Sequence, residues 1–235
     1  MKVTFHKNKL TSLLFLALSL LLVGCFENPF TDYVKEGVIT YKIEYPGISE
    51  DNVMFDLMPR RMEMSFKDDN YRTDIIAGMG LFKTSIISEA DNNQLTHTVK
   101  MLNKKFASKL SHQDISQMQP ELAGIEIEYT GNKKDIAGFK CKEAKLLKDG
   151  ETLYTVYYTD KIKIKNPNNA TPFEGIPGVL MEYEMVNYDT HMKFTVEGVV
   201  KKDINPNDLK LEDGYEMISA AKLENEIQSI FDKVK

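Results

Sequence analysis

The amino-acid sequence predicts a mainly β protein: a strongly curved antiparallel sheet of about ten strands, an open or half barrel, with a short mid-chain helix or loop and a C-terminal helix. Three observations predict this fold. Apolar and polar residues alternate in one short segment after another. Short turns rich in Asp, Asn, Gly and Pro separate these segments, which favours antiparallel neighbours. A sheet of so many strands has to curl or close.

The predicted strands follow one another along the chain. In each of them apolar residues occupy every second position, so one face is buried and the other meets water. They cover residues 39–45, 61–67, 71–75, 81–88, 95–101, 106–110, 125–129, 139–142, 153–158, 179–185 and 192–200.

Two segments depart from this two-residue period. In residues 111–124, Ile115, Met118 and Leu122 have helical spacing but Pro120 interrupts it, which predicts a short helix or a loop. After Ser219, a plausible N-cap, one helical stripe is predicted to pack on the sheet. The stripe consists of Leu223, Ile227, Ile230, Phe231 and Val234.

The first 25 residues resemble a bacterial lipoprotein signal. Three lysines lie within the first nine residues, and an apolar run covers residues 13–23. The run is shorter than the about 20 residues that span a bilayer, and it fits the apolar segment of a secretory signal. It ends at Leu22-Val23-Gly24-Cys25, which resembles the lipobox, the cleavage motif of bacterial lipoproteins.

This resemblance implies cleavage before Cys25 and a membrane anchor of acyl chains on that cysteine. The alternative is an ordinary signal peptide with a chance cysteine. We therefore predict a signal peptide at 1–24, a lipidated tether at 25–35 and a single domain at 36–235. Phe26 rather than Asp follows Cys25, which favours the periplasmic face of the outer membrane. Inner-membrane retention and surface display remain alternatives.

Composition limits the partners and the cysteine chemistry. Removal of residues 1–24 takes away three lysines and no acidic residue, so the formal charge goes from −5 to −8. Such an acidic domain argues against binding to nucleic acid, which needs Lys and Arg to neutralise phosphates. Cys141 is the one cysteine left beside Cys25, so no disulfide framework is expected. A small buried residue is the favoured role for Cys141, and a reactive thiol is the alternative.

The segment Gly175-Ile176-Pro177-Gly178-Val179-Leu180 resembles the motif of the GLPGLI family of bacterial envelope proteins. The flanking residues 136–144 and 156–159 are similar to the family as well, so the resemblance covers about residues 136–185. It implies a LolA-like half barrel that holds acyl chains, and it carries over no catalytic residue. Physically, Pro177 cannot donate a ladder hydrogen bond and Gly178 permits a positive φ. The motif is then either a structural corner or a loop that gates a ligand.

No catalytic or metal-binding constellation is apparent. His97, His112 and His191 are scattered, and His97 is predicted to be a core histidine. The chain has no nucleophile elbow, phosphate loop or dinucleotide fingerprint. The carboxylates of Glu182 and Glu184 share a face with i, i+2 spacing, but this face is predicted to be solvated. We therefore expect a non-enzymatic protein with no catalytic residue, no metal and no cofactor.

Methionine is the feature most suggestive of binding, because the chain has 12 Met and no Trp. Methionine adapts its shape and is frequent at promiscuous apolar binding surfaces, although it also fills cores. The candidate ligand-lining residues are Met62, Met64, Phe66, Met181, Tyr183 and Met185. The preferred hypothesis is a lipoprotein whose curved sheet binds a lipid, an acyl chain or a lipidated protein. The alternative is an envelope interaction or structural module with a filled core and no small ligand.

Overall fold

The computed structural model describes residues 33–49, 51–52, 55–90, 94–111, 114, 124–169, 171, 173–187 and 190–232. The chain divides into two compact units, Met1–Thr31 and Asp32–Lys235, and all described residues belong to the second. The predicted signal peptide, the lipidation site Cys25 and most of the tether lie outside the described residues. So does most of 111–124, where a short helix or loop is predicted.

One sheet of twelve strands dominates the described residues, and it curves without closing into a barrel. The strands are β1 (Glu36–Glu44), β2 (Arg61–Lys67), β3 (Asn70–Ala77), β4 (Phe82–Glu89), β5 (Gln94–Met101), β6 (Lys104–Leu110), β7 (Glu126–Ile136), β8 (Phe139–Lys148), β9 (Glu151–Thr159), β10 (Val179–Asn187), β11 (Thr190–Val200) and β12 (Glu216–Met217). A C-terminal helix, α1, covers Ala220–Asp232. The spatial order is β12-β6-β5-β4-β3-β2-β1-β11-β10-β9-β8-β7.

The pairing joins chain neighbours almost everywhere, as short turns require. The exceptions are β1 with β11, which pair antiparallel, and the short β12 with β6, which pair parallel. We call the end where β1 finishes and β2 begins the upper end. The β3–β4, β5–β6, β8–β9 and β10–β11 turns lie at this end too, because the strands alternate in direction. Strand β1 begins at the opposite end, which we call the lower end.

The inner face of the sheet is apolar across most of its width. Directly paired residues place their side chains on the same face, so the register identifies the face. Tyr41 is opposite Met62, Met62 is opposite Ile75 and Ile75 is opposite Thr84. The same face continues through Val99 to Phe106 at the other side of the sheet.

Two pieces of the chain cover parts of the inner face. Helix α1 packs Leu223 and Ile227 against Val99 and Phe106. Ser219 is its N-cap, since the Ser219 hydroxyl accepts a hydrogen bond from the Lys222 amide at 3.3 Å. On β8–β10 the cover is the loop 166–178, which buries Phe173 and Ile176 in the apolar cluster of those strands.

Part of the outer face is also buried from solvent. The strap, which we define as residues 201–215, crosses the outer side of β2 and β3 and buries Ile204 and Leu209. Buried Arg72 reaches the strap: its guanidinium lies 3.1 Å from a Glu212 carboxylate oxygen and donates to the Lys210 carbonyl at 3.3 Å. Its Nε also donates to Asp74 at 2.9 Å. Outer-face residues of β3–β6 are therefore buried beneath or beside the strap.

The predicted fold class is confirmed: the protein is mainly β, with one large curved antiparallel sheet and a C-terminal helix. The sheet has twelve strands where the sequence predicts about ten, and β12, with two residues, is too short to show an alternation. Within the described residues, no helix is long and apolar enough to cross a membrane.

Candidate functional site

The structure places five of the six candidate lining residues on the inner face. Met62, Met64 and Phe66 lie opposite positions 41, 39 and 37 of β1. On the other side of β1, Tyr183 and Met185 of β10 lie opposite Phe194 and Met192 of β11. Phe194 is in turn opposite Ile43 of β1, so the two groups share one continuous face.

Met181 departs from the predicted pattern because of a β-bulge. Leu180 is opposite Tyr158 and Glu182 is opposite Tyr157, so two steps on β10 match one step on β9. Leu180 joins the apolar cluster against which Tyr183 and Met185 pack. Strict alternation predicts that Met181, not Leu180, shares the face of Tyr183. Met181 is the extra residue of the bulge and is fully buried there.

Burial divides the six candidates into two groups. Met62, Met64, Phe66 and Met181 are core residues, and the most accessible of them, Met64, is only 9% exposed. Tyr183 and Met185 are partly exposed. They belong to a set of half-buried apolar residues above the loop 166–178, which we call the upper patch. It consists of Ile125, Ile127, Tyr154, Tyr183 and Met185.

Aromatic rings connect the upper patch to the core. Tyr183 stacks on Phe194 with centroids 4.7 Å apart. Its ring also meets the edges of Phe173 at 5.2 Å and Tyr41 at 6.3 Å. Burial raises the pKa of Tyr183 and of Tyr41, and Tyr41 donates a hydrogen bond to the Leu180 carbonyl at 3.0 Å. Both phenols are therefore neutral, which keeps this part of the inner face free of charge.

The motif residues form a fixed corner at the start of β10. Gly175 and Gly178 have φ of +96° and +131°, and a Cβ at Gly178 would lie 2.4 Å from the Thr159 carbonyl oxygen. The amide of buried Asn168 donates to the carbonyls of Ile176 and Gly178, both at 2.9 Å. The corner therefore has a structural role: it turns the chain into β10 and presses Phe173 and Ile176 onto the sheet.

Two other residues that the sequence singles out, His97 and Cys141, contact neighbouring residues within the packed sheet. His97 lies on the inner face, and its Nε2 is 2.8 Å from the Thr84 hydroxyl. Burial lowers the pKa of His97 to about 4, so its ring is neutral at neutral pH. Cys141 is buried, donates to the Phe139 carbonyl at 3.4 Å, and has a pKa raised by burial to about 12. A thiol in this state is not nucleophilic.

The two carboxylates on β10 have separate partners on the outer face rather than a shared acid–base site. Glu182 accepts from Lys134 at 2.8 Å, and Glu184 lies 2.9 Å from the ring of His191. Elsewhere, Glu143 accepts hydrogen bonds from Tyr157, Asn132 and Thr130, which together lower its pKa. Within the described residues, no three His, Cys, Asp or Glu side chains are placed to hold a metal.

Sequence reasoning missed two positioning residues. Asn168 appears in the sequence only as part of a polar loop, and its two long-range hydrogen bonds have no local pattern. Arg72 lies at an outward position of a strand, and nothing in the strand itself indicates the strap that buries it.

No family model and no curated protein sequence matches this chain. Among solved structures, PNGF-II in space group P21 is similar with a TM-score of 0.52 at 16% identity, over 81% of this chain and 32% of that one. This chain thus spans about a third of the length of PNGF-II. An uncharacterized conserved protein from Thermus thermophilus has a TM-score of 0.32 at 5% identity, over 86% of this chain and 99% of that one.

A β-barrel-like protein of a domain of unknown function from Brucella abortus has a TM-score of 0.34 at 10% identity, over 74% of this chain and 100% of that one. At these identities the likeness concerns the fold alone, and only PNGF-II exceeds a TM-score of 0.5 among the three. The class of protein that the fold and the site define is a domain built on one large, curved antiparallel sheet that is not closed into a barrel and whose inner face is largely filled. Membership of the GLPGLI family stays a prediction from the motif.

Proposed function

We propose that this protein is a lipid-anchored, non-enzymatic envelope protein that binds a hydrophobic ligand at the upper patch. The observation that carries the proposal is the partial exposure of Tyr183 and Met185, at the top of an apolar inner face whose lower part is covered. Accessible apolar surface of this kind often marks a binding site for an apolar ligand or partner.

The filled part of the sheet limits where such a ligand binds. Phe173 and Ile176 occupy the inner face of β8–β10 below the patch, and Met62, Met64 and Phe66 belong to the core. An acyl chain would therefore contact Tyr154, Tyr183 and Met185 rather than the β2 methionines. The flexible side chain of Met185 suits a ligand of variable shape.

The anchor is the second part of the proposal. Cys25, after Leu22-Val23-Gly24, would carry the acyl chains, and the protein would stand on the periplasmic face of the outer membrane. Mass spectrometry of the N-terminal peptide tests this directly. A peptide that begins at Cys25 with acyl groups supports the anchor, whereas intact residues 1–24 with a free thiol contradict it.

Ligand binding is tested on two levels. Native mass spectrometry of the protein purified in mild detergent is expected to show a bound lipid mass. A titration with a long-chain fatty acid then compares Met185→Gln with Met217→Gln, a control at an exposed methionine on β12. Loss of the contact at Met185 is expected to weaken binding about tenfold, because the free energy of burying one apolar side chain corresponds to a change of about this size. Equal affinities of the two variants would remove the upper patch as the site.

The second candidate is an interaction or structural module without a small ligand. The filling of the inner face by Phe173 and Ile176, and by Leu223 and Ile227 of α1, favours it. The other predicted stripe residues, Ile230, Phe231 and Val234, have side chains outside the described part of the chain. This alternative would be supported if the purified protein carries no bound lipid mass and binds no fatty acid in the titration. In that case, a stable protein partner should copurify.

A further inference from the structure

The upper end of the sheet exposes large apolar side chains on neighbouring turns. Met79 is 90% exposed, Leu102 65% and Leu81 56%, in the β3–β4 and β5–β6 turns. The amide of Leu102 donates to the carbonyl of Leu81 at 3.0 Å, so these turns are joined. The 3-10 turn Phe55–Leu57, with Leu57 exposed, contacts the turn around Met79. We call Leu57, Met79, Leu81 and Leu102 the apolar tips.

Two of the apolar tips are held in a conformation that disfavours them. Met79 has a φ of +55° and Leu102 a φ of +53°, in the left-handed region that Gly and Asn adopt easily. Most other described turns of the same sheet place Asp or Gly there, such as Asp68, Asp69 and Asp149, and the exception is the small residue Ala137 in the β7–β8 turn. Neither Met79 nor Leu102 gains burial in return. Local stability therefore does not account for these side chains.

Basic side chains lie beside three of the four apolar tips. The segments 76–84 and 99–107 contain four lysines and no Asp or Glu, in a chain with a net charge of −5. The turn of Leu57 differs, because it contains Asp56, which is paired with Arg60 at 2.9 Å. Lys83 is opposite Lys100, and Lys100 is opposite Lys105, across three neighbouring strands. Like charges directly opposite each other destabilise a sheet. Asp74 neutralises Lys83 at 3.0 Å, while Lys100 and Lys104 have no carboxylate partner in the described part of the chain.

We propose that this end of the sheet docks on the surface of an anionic phospholipid bilayer. The apolar tips enter the boundary between headgroups and acyl chains, and the lysines meet the lipid phosphates. Membrane-surface binding combines these two terms, buried apolar area and attraction to anionic lipid. Charge complementarity and exposed apolar surface together favour this occupant, because lysines and apolar tips lie side by side here, as phosphates and acyl chains do at a bilayer surface.

The test uses the chain 25–235 with Cys25→Ser, which retains the whole second compact unit and lacks acyl chains. Cosedimentation with phosphatidylglycerol-containing vesicles is compared with phosphatidylcholine vesicles. We expect binding to the anionic vesicles that weakens with salt. Lys100→Gln/Lys104→Gln is expected to lower the partition coefficient by about fivefold per lysine. The matched control is Lys201→Gln/Lys202→Gln, at exposed lysines at the lower end.

The apolar tips are tested with Met79→Asn/Leu102→Asn. Asn tolerates a positive φ, so this variant is expected to fold at least as stably as the parent. Its vesicle binding is expected to fall about tenfold or more, because two side chains no longer enter the bilayer. Val200→Thr, at another exposed apolar residue, is the control.

Unchanged binding by the Asn variant, or equal binding to neutral and anionic vesicles, would overturn the proposal. Binding of a protein partner to the apolar tips, without binding to any vesicle, would overturn the proposal as well. Met185→Gln is expected to bind vesicles like the parent. The failure of the ligand site is thus distinguishable from the failure of membrane docking.

Discussion

At Gly178, the addition of a single methyl group is expected to lower stability strongly. Its φ of +131° is a conformation that other residues rarely adopt, and such strain costs about 1–3 kcal/mol. An alanine Cβ would also lie 2.4 Å from the Thr159 oxygen and 2.9 Å from its carbonyl carbon. Both atoms belong to the backbone of β9, so the β9–β10 pairing itself has to shift. We expect Gly178→Ala to lower the free energy of unfolding by roughly 3 kcal/mol or more.

Thermal unfolding followed by circular dichroism measures this effect. For a domain of this size, 1 kcal/mol shifts Tm by about 2–4 °C, so the expected drop is about 6–12 °C. Gly198→Ala is the matched control, because Gly198 lies in β11 without a positive φ, and nothing lies within 4 Å of the point where its Cβ would stand. It is expected to be neutral or to raise stability by up to about 1 kcal/mol. A Gly178→Ala variant that melts within about 2 °C of the parent would refute the argument from backbone clash.

Three further predictions concern buried groups and a helix cap. Cys141 is expected to resist a thiol reagent at pH 8 in the native state and to react fully in denaturant, since burial raises its pKa to about 12. His97 has a folded pKa lowered from 6.5 to about 4, so the unfolded chain takes up a proton first as the pH falls. As the pH falls from 6.5 to about 4, the native state should lose stability. Urea unfolding measured at both pH values should show a smaller loss for His97→Gln than for the parent. Ser219→Ala removes the N-cap of α1 and is expected to cost about 1 kcal/mol in urea unfolding; an unchanged midpoint would contradict the cap.

The alternation of apolar and polar residues predicts the strands well because one face of nearly every strand packs against the rest of the chain. Ile39, Tyr41 and Ile43 on β1 are buried, and the polar residues between them are more exposed. Turn chemistry is equally local, which is why Asp149-Gly150 correctly predicts the β8–β9 turn. The predictable part of the fold is therefore the part that depends on nearest neighbours in sequence.

The candidate site was harder to predict because its limits depend on distant partners. The bulge at Leu180–Glu182 is determined by how β10 pairs with β9, and a two-residue period in β10 alone cannot show an extra residue. The strap likewise has no period, yet it buries Arg72 on the face that the pattern treats as wet. Met62 and Met64 look the same in sequence whether they line a cavity or fill a core, and only the packing around them distinguishes the two.

The distribution of unfavourable features argues that the upper end has been selected for something other than stability. The lower end joins β2 to β3 through Asp68-Asp69, residues that tolerate a positive φ. The β5–β6 turn at the upper end places Leu102 in the same conformation, in water, where Asn would be more stable. The Lys100–Lys105 pairing adds repulsion on the adjoining strands. Both features lower stability in the isolated protein, and contact with an anionic apolar boundary would offset them by burying Leu102 and neutralising the lysines.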